Sequence, residues 1–427
     1  MKALTAMSKQ ELEKLYEELL LQFEDVKKKG LKLDMSRGKP TPEQLDMGMA
    51  LLDAVNSNSD MYTADGTDCR NYGVLEGIYE ARKLMGDILN VPADNVIMGG
   101  NASLQLMYDM ISRSMVFGVN GSTPWCKLDK IKFLCPVPGY DRHFKITETF
   151  GIEMINIPMT PEGPDMDMVE EYVNNDASVK GIWCTPKYSN PQGISYSPDT
   201  VKRFAALKPK ADDFRIYWDN AYCVHHLYED NRDEILEILS ECEKAGNPDM
   251  VFEFASTSKI SFAGAGISCV VSSKNNLEWI KKTLTVQTIS SDKVNQLRHV
   301  RYFKNADGVM ATMKKHADIM RPKFEAVIKV FEEELQGLGV GEWTVPKGGY
   351  FISFEAMEGC AKAIVNKCKE AGVVLTGAGA TFPYGKDPKD SNIRIAPSYP
   401  TKEEMAAATE LFVLCTKLCT VEKMLQN

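Results

Sequence analysis

Between residues 95 and 273, short and nearly unbroken apolar runs alternate with stretches of helical spacing. The runs are NVIMGG (95–100), KFLCP (132–136), EMINIPM (153–159), KGIWCTP (180–186), RIYWD (215–219), VFEFAST (251–257) and ISCVVSS (267–273). Helical patterns between them include SLQLMYDMISRSM (103–115) and SPDTVKRFAALK (197–208). A strand with one wet face alternates apolar and polar residues, so a continuous run implies that both faces are covered. The pattern predicts an α/β fold with a mainly parallel sheet covered by helices.

Outside this region the pattern changes. Residues 8–29 read as a helix ending near Gly30, and DMSRGKPTPEQ (34–44) as a loop. From Asp292 to about Leu338 the chain reads as helical, with a kink or break at Arg321-Pro322. GEWTVPKGGYFISFEA (341–356) reads as two strands paired around a Lys-Gly-Gly turn. A helix (360–371), the strands VVLTG and NIRIAPS, and a final amphipathic helix complete a smaller α+β domain. The expected division is a large domain at 48–300, and a small domain of 301–427 joined by the N-terminal segment 1–47.

Composition narrows the function. A chain of 427 residues with a formal charge of −9 is not built around a nucleic-acid surface. No apolar run approaches the ~18 residues that cross a bilayer. The opening MKALTAMSKQELEKLYEELLLQF mixes acids and lysines and lacks a secretion signal's apolar centre. The 11 cysteines have no CxxC pairing and fit buried thiols in a reducing compartment, and the five histidines show no metal spacing. The expectation is a cytoplasmic protein without a metal, a nucleic-acid partner or a membrane partner.

Several short words carry chemistry. In STSKISFAGAGIS (256–268), Lys259 follows a strand among small residues that would let its amine be desolvated and act as a nucleophile; alone, it reads more readily as a surface lysine in a flexible loop. In RIYWDNAY (215–222), Asp219 ends a strand, where a carboxylate can meet a protonated ring nitrogen or merely start a turn, and Tyr222 follows. Asn190 lies in the turn TPKYSNPQG (185–193), where its amide can reach a ligand oxygen. Asn101, Ala102 and Ser103, in GGNASLQLMYDM (99–110), open a helix that can hold a phosphate, or else cap it. Tyr140, in PVPGYDRHF (136–144), can stack on a planar ligand. Arg394, in NIRIAP (392–397), sits in an apolar strand and needs an anion, whether internal or from a substrate.

Taken together and in this order, PGYDRHF, TPKYSNPQG, YWDNAY, STSKISFAGAG and NIRIAPS resemble the fold-type I aminotransferases (class I/II), most closely the aspartate-aminotransferase-like subgroup Ic with its MocR-type aminotransferases. The resemblance runs from about Asp34 to the last helix. It implies pyridoxal 5'-phosphate as cofactor, with Lys259 forming the internal Schiff base. Asp219 would hold the ring nitrogen protonated, Tyr222 and Asn190 would bind the phenolic oxygen, and Tyr140 would stack on the ring. Asn101, Ala102, Ser103 and Ser256 would cradle the phosphate. Tyr72, in NYGVLEGIYEARK, matches a tyrosine that reaches the neighbouring subunit's phosphate, which implies a homodimer. Arg394 would clamp the α-carboxylate, and Gly38, in SRGKP, matches a loop that closes over substrate.

The sequence departs from the family in two places. Ile267 stands where many relatives carry a phosphate-binding arginine, and no arginine lies near Thr285 to Thr288, where better-known aspartate aminotransferases place the one for the distal carboxylate. Arg142 is the first candidate for that distal role and Arg37 the second, each with a surface salt bridge as the plainer alternative. The expected activity is transfer of an amino group from an amino acid, aspartate or glutamate first, to a 2-oxo acid. The competing readings are another reaction of the same cofactor, such as a lyase or decarboxylase, and a non-catalytic regulator that senses it. Against the regulator, the residues before Asp34 form one acidic helix, too short for a winged-helix domain.

Overall fold

The structure is a computed structural model and describes residues 2–426. Its strands are β1 (Leu33–Asp34), β2 (Val96–Met98), β3 (Lys132–Val137), β4 (Glu153–Thr160), β5 (Gly163–Pro164), β6 (Val179–Cys184), β7 (Arg215–Asp219), β8 (Val251–Ser256), β9 (Ser268–Val271), β10 (Gly341–Trp343), β11 (Ile352–Ala356), β12 (Val373–Val374) and β13 (Asn392–Ile395). Eight of them form one sheet in the order β2-β9-β8-β7-β6-β3-β4-β5. The centre, β8-β7-β6-β3-β4, is parallel, while β9 runs antiparallel to β8 and β2, and β5 to β4.

Side-chain alternation explains the unbroken apolar runs. Ile182, Trp218, Val251 and Ala255 pack in the core on one face of the sheet. Phe133, Trp183, Tyr217, Phe252 and Phe254 pack in the core on the other. Both faces are dry, so neither selects for polar residues. The parallel strands also share one carboxyl edge, and Asp219 and Ser256 close β7 and β8 along it.

A third core joins the N-terminal helix Lys9–Lys28, the second half of the helix Ala306–Glu334, the sheet β10-β11-β13 and the C-terminal helix Lys402–Gln426. The first of these helices starts at a reciprocal cap, with Ser8 Oγ accepting from the Glu11 amide and Glu11 Oε2 accepting from the Ser8 amide. Through its parallel pairing with β12, β1 ties the loop at residues 34–44 to this body.

Three local expectations need correction. The helix break falls at Lys304 (φ 67°) and Asn305, whose side chain caps the next helix by accepting from the Gly308 amide at 3.0 Å. Pro322 lies inside the continuous helix Ala306–Glu334, where buried residues on both sides, from Met313 and Met320 to Phe324 and Phe331, hold the helix together. β10 and β11 are antiparallel, with Trp343 opposite Phe354, but residues 344–351 make a longer connection than a tight Lys-Gly-Gly turn. The C-terminal helix is not amphipathic over its middle three turns, because every residue from Leu411 to Val421 is buried.

Candidate active site

A cavity of about 700 Å³ opens at the carboxyl edge of the large sheet, where the small body lies against it. Lys259, Asp219, Tyr222, Tyr140, Asn190, Ser103, Arg394, Gly38, Arg37 and Arg142 all line it. These sequence-predicted residues come from seven separated segments, so the fold is what brings them together.

Asp219 sits on the floor, 3% exposed. Its Oδ2 accepts from His143 Nε2 at 2.9 Å, while Oδ1 is buried without a partner. His143 is held by stacking on Trp183 (4.6 Å between ring centroids, 8° between planes) and by an edge contact with Tyr140. Trp183 in turn donates its indole N–H to Thr147 Oγ1 at 2.7 Å. Sequence reasoning missed His143, which lies three residues beyond Tyr140 on the first turn of the helix Asp141–Thr149. Its spacing in PGYDRHF, one helical turn beyond Tyr140, was the available signal.

Lys259 follows β8 in a turn, with its amine 5.0 Å from the Tyr222 ring centroid and 6.0 Å from that of Tyr350. Burial pulls the amine below the ordinary lysine range, and the nearby Asp219 carboxylate opposes that shift. The Tyr222 phenol is pushed well above its usual range, chiefly by burial, so its hydroxyl stays protonated as a donor. Burial, helped by Asp219, raises Tyr140 to about 12.

At another wall, the helix Ser103–Phe117 begins with Ala102 as its cap residue and no side-chain cap bond. Neither Asn101 nor Ser103 caps it, so the first amides of a four-turn helix are left for an anion. Ser256 Oγ donates to Ser258 Oγ at 3.1 Å, and Ser258 Oγ donates to the Asn101 carbonyl at 2.9 Å, which tethers the turn before Lys259 to this helix start. Ile267 is buried, its amide donating to Thr257 Oγ1 at 2.9 Å, and so offers no charge here.

Arg394, on β13, reaches the cavity from the small body and is 7% exposed. Its guanidinium lies over the Phe351 ring at 4.8 Å. Nη1 donates to Asp141 Oδ1 at 2.9 Å and to Asn190 Oδ1 at 3.1 Å, while Nε and Nη2 face Thr376 Oγ1 at 3.4 and 3.3 Å. Thr376 donates to the Ser36 carbonyl at 2.6 Å, which couples the arginine to the loop bearing Arg37 and Gly38. A Cβ on Gly38 would meet Phe351 at 2.7 Å, so only glycine lets the loop lie this close. Arg142 and Arg37 are both exposed at the rim, together with Lys39, which sequence reasoning did not single out. Tyr72 does not line this cavity and is 79% exposed. No cluster of metal-ligating side chains occurs among the described residues.

The profile of the family described as aspartate amino-transferase matches residues 7–427. The aspartate aminotransferase of Corynebacterium glutamicum is 47% identical over 408 residues, covering 95% of this chain and 94% of that one. The crystal structure of an aspartate transaminase from C. glutamicum superposes with a TM-score of 0.96 at 46% identity, covering 99% of both chains. The alpha-aminoadipate aminotransferase of Thermus thermophilus shares the fold at 20% identity, with a TM-score of 0.73 over 92% of this chain and 93% of that one.

Proposed function

Because the chain belongs to the aspartate aminotransferase family and is a transaminase, we propose that it takes a dicarboxylic amino acid, aspartate or glutamate, as donor and a 2-oxo acid as acceptor, with pyridoxal phosphate as its cofactor. The observation that carries the cofactor reading is the orphaned Oδ1 of Asp219, a buried anionic acceptor on the floor of the cavity that the Lys259 amine and Arg394 share. A protonated pyridine nitrogen is the group such an acceptor lacks. The uncapped helix start at Ser103, with Asn101, Ala102, Ser256 and Ser258 around it, fits a phosphate.

When bound, the cofactor supplies an electron sink for the substrate's Cα–H bond. Asp219, held by His143, keeps positive charge on the ring nitrogen. Tyr140 would pack on the ring, while the Tyr222 hydroxyl and the Asn190 amide nitrogen, left free when Oδ1 accepts from Arg394, would hold the phenolic oxygen. Lys259 Nζ anchors the cofactor and moves the proton at the substrate Cα. Arg394 binds the α-carboxylate, and Gly38 lets the loop above it close and exclude water. Arg142, with Arg37 as the alternative, reads the distal carboxylate.

The exposed Tyr72 fits a role in a neighbouring protomer's phosphate site and therefore a homodimer. The separate cores fit a cofactor-binding domain of about 48–300 and a small domain made of 1–47 and most of 301–427, with Phe303, Val309 and Met313 packing on Leu84, Val224 and Ile260 of the large body. The unpaired, mostly buried cysteines fit a cytoplasmic location, and no described helix is long and apolar enough to cross a membrane. The test is a screen of amino acids against 2-oxoglutarate and oxaloacetate with the purified protein. Highest kcat/KM for aspartate or glutamate is expected, and a preference for alanine or an aromatic donor refutes the substrate assignment.

A further inference from the structure

Arg394 is buried, and among the described residues Asp141 is its only charged partner within salt-bridge distance, at 2.9 Å. The other groups on the guanidinium, Asn190 and Thr376, are neutral. The pair is asymmetric: the Arg394 side chain is 7% exposed and that of Asp141 33%. Asp141 is the first residue of the helix Asp141–Thr149 and follows Tyr140 directly, so its carboxylate lines the same cavity as the substrate groups. Arginine donates to carboxylates through two parallel N–H bonds, and here one prong of that fork already carries a carboxylate oxygen.

We propose that Asp141 is an internal competitor for the α-carboxylate site. It neutralises Arg394 while the site is free of substrate and yields that place to the incoming carboxylate. The proposal rests on the reading of Arg394 given above. Its physical basis is that a buried guanidinium without a counter-charge is strongly destabilising, whereas exchanging one carboxylate for another keeps the charge matched throughout. Arg394, stacked on Phe351 and bonded to Asn190, is the fixed member. Asp141, a third exposed at a helix start, is the member that can turn to water, where both solvent and the helix N-terminus stabilise a carboxylate. Every substrate must then break the Asp141 contact, whatever its side chain, so Asp141 acts on binding and not on the choice between amino acids.

Asp141→Asn keeps the outline and an acceptor oxygen but removes the charge. The expected result is a fall in KM of about fivefold for aspartate and for alanine alike, and an equal fall in the inhibition constant of maleate, with a smaller change in kcat. Asp141→Glu, which restores a carboxylate, is expected to return KM toward the parent value. A rise in KM for Asp141→Asn would make Asp141 a positioning residue for Arg394 and overturn the proposal, as would unchanged constants. Thermal melts of both variants check that the helix start still folds. Arg394→Lys separates the two readings. If it leaves KM and the maleate constant unchanged, the α-carboxylate assignment itself fails. If it weakens both while Asp141→Asn tightens neither, only the role of Asp141 fails.

Discussion

His143 donates to one oxygen of the Asp219 carboxylate and leaves the other, equally buried, with no partner. A buried carboxylate with one unused oxygen is destabilising unless a ligand completes it. The same arrangement points Asp219 at the cavity, because His143 is itself fixed against Trp183 and can hold only Oδ2.

Asp219→Asn should therefore lower kcat by about a hundred- to a thousandfold, the usual cost of removing a charge aligned with developing charge. His143→Gln should cost less, about tenfold, since it loosens the carboxylate without removing it. Single-turnover rates with aspartate measure both. If the two variants lose activity equally, or Asp219→Asn loses none, Asp219 does not hold a cofactor nitrogen.

The amine of Lys259 is buried beside the Tyr222 ring and titrates below an ordinary lysine. Purified protein should be yellow, and borohydride should fix the cofactor irreversibly to this residue. Peptide mapping that places the label on another lysine, or a colourless protein that pyridoxal phosphate does not restore, ends the assignment. Lys259→Ala should bind cofactor without retaining it after reduction, and its turnover should drop by orders of magnitude.

Glu253, on β8, is buried with Oε1 accepting from Asn220 Nδ2 at 2.9 Å and Oε2 unpartnered. Burial raises its carboxyl to about 8, so the folded protein holds a proton that the unfolded chain releases near the ordinary glutamate value. A raised folded-state value gives a stability contribution that is full below the unfolded value and lost as pH rises through about 8. Glu253→Gln keeps the Asn220 contact and removes the titration. Its unfolding free energy should match the parent's near pH 5 and exceed it increasingly toward pH 8, by an amount on the order of a few kcal/mol at most, read as a Tm difference that grows with pH. A constant Tm difference across that range would show that Glu253 does not titrate there.

Most of the fold was legible because burial on both faces of a parallel sheet leaves a run such as KGIWC without polar interruptions, and the run survives as β6. The candidate site was legible for a related reason: Asp219 and Lys259 sit at or just beyond the ends of the hydrophobic strands β7 and β8, so the change in residue type marks the cavity edge. The remainder depends on partners far away in sequence. Pro322 looks like a helix breaker until Phe324 and Phe331 are seen packed in the small core. The apolar C-terminal helix is buried on nearly every side by elements from both ends of the chain, which no local period records. His143 looked like one of five scattered histidines, and its value comes from Asp219, Trp183 and Tyr140 converging on it. Asp141 likewise acquires meaning only from Arg394, which lies on the other body.

In the proposed reading, substrate choice turns on the two arginines that share the cavity with opposite exposure. Arg394 is buried on β13 and clamped by Phe351, Asn190 and Thr376, whereas Arg142 is exposed at the rim on the first turn of the helix after Tyr140. Every amino acid presents an α-carboxylate, so Arg394→Ala should harm all donors and should not change their ratio. Only aspartate and glutamate present a second carboxylate, so Arg142→Ala should lower kcat/KM for them and spare alanine. Because Arg142 is exposed in the open cavity, its attraction is screened unless substrate binding closes the loop at Gly38 over it, and the selective loss should be about 1–3 kcal/mol, nearer the lower end at high salt. The measurement is the aspartate-to-alanine ratio of kcat/KM for the parent and both variants, at low and high ionic strength. If Arg142→Ala leaves the ratio unchanged, the test moves to Arg37→Ala, since Arg37 faces the same cavity from the loop that Ser36 and Thr376 tie to Arg394. If neither arginine moves the ratio and the parent shows no preference for dicarboxylates, the aspartate assignment fails, and a transaminase reading a different side chain is what remains.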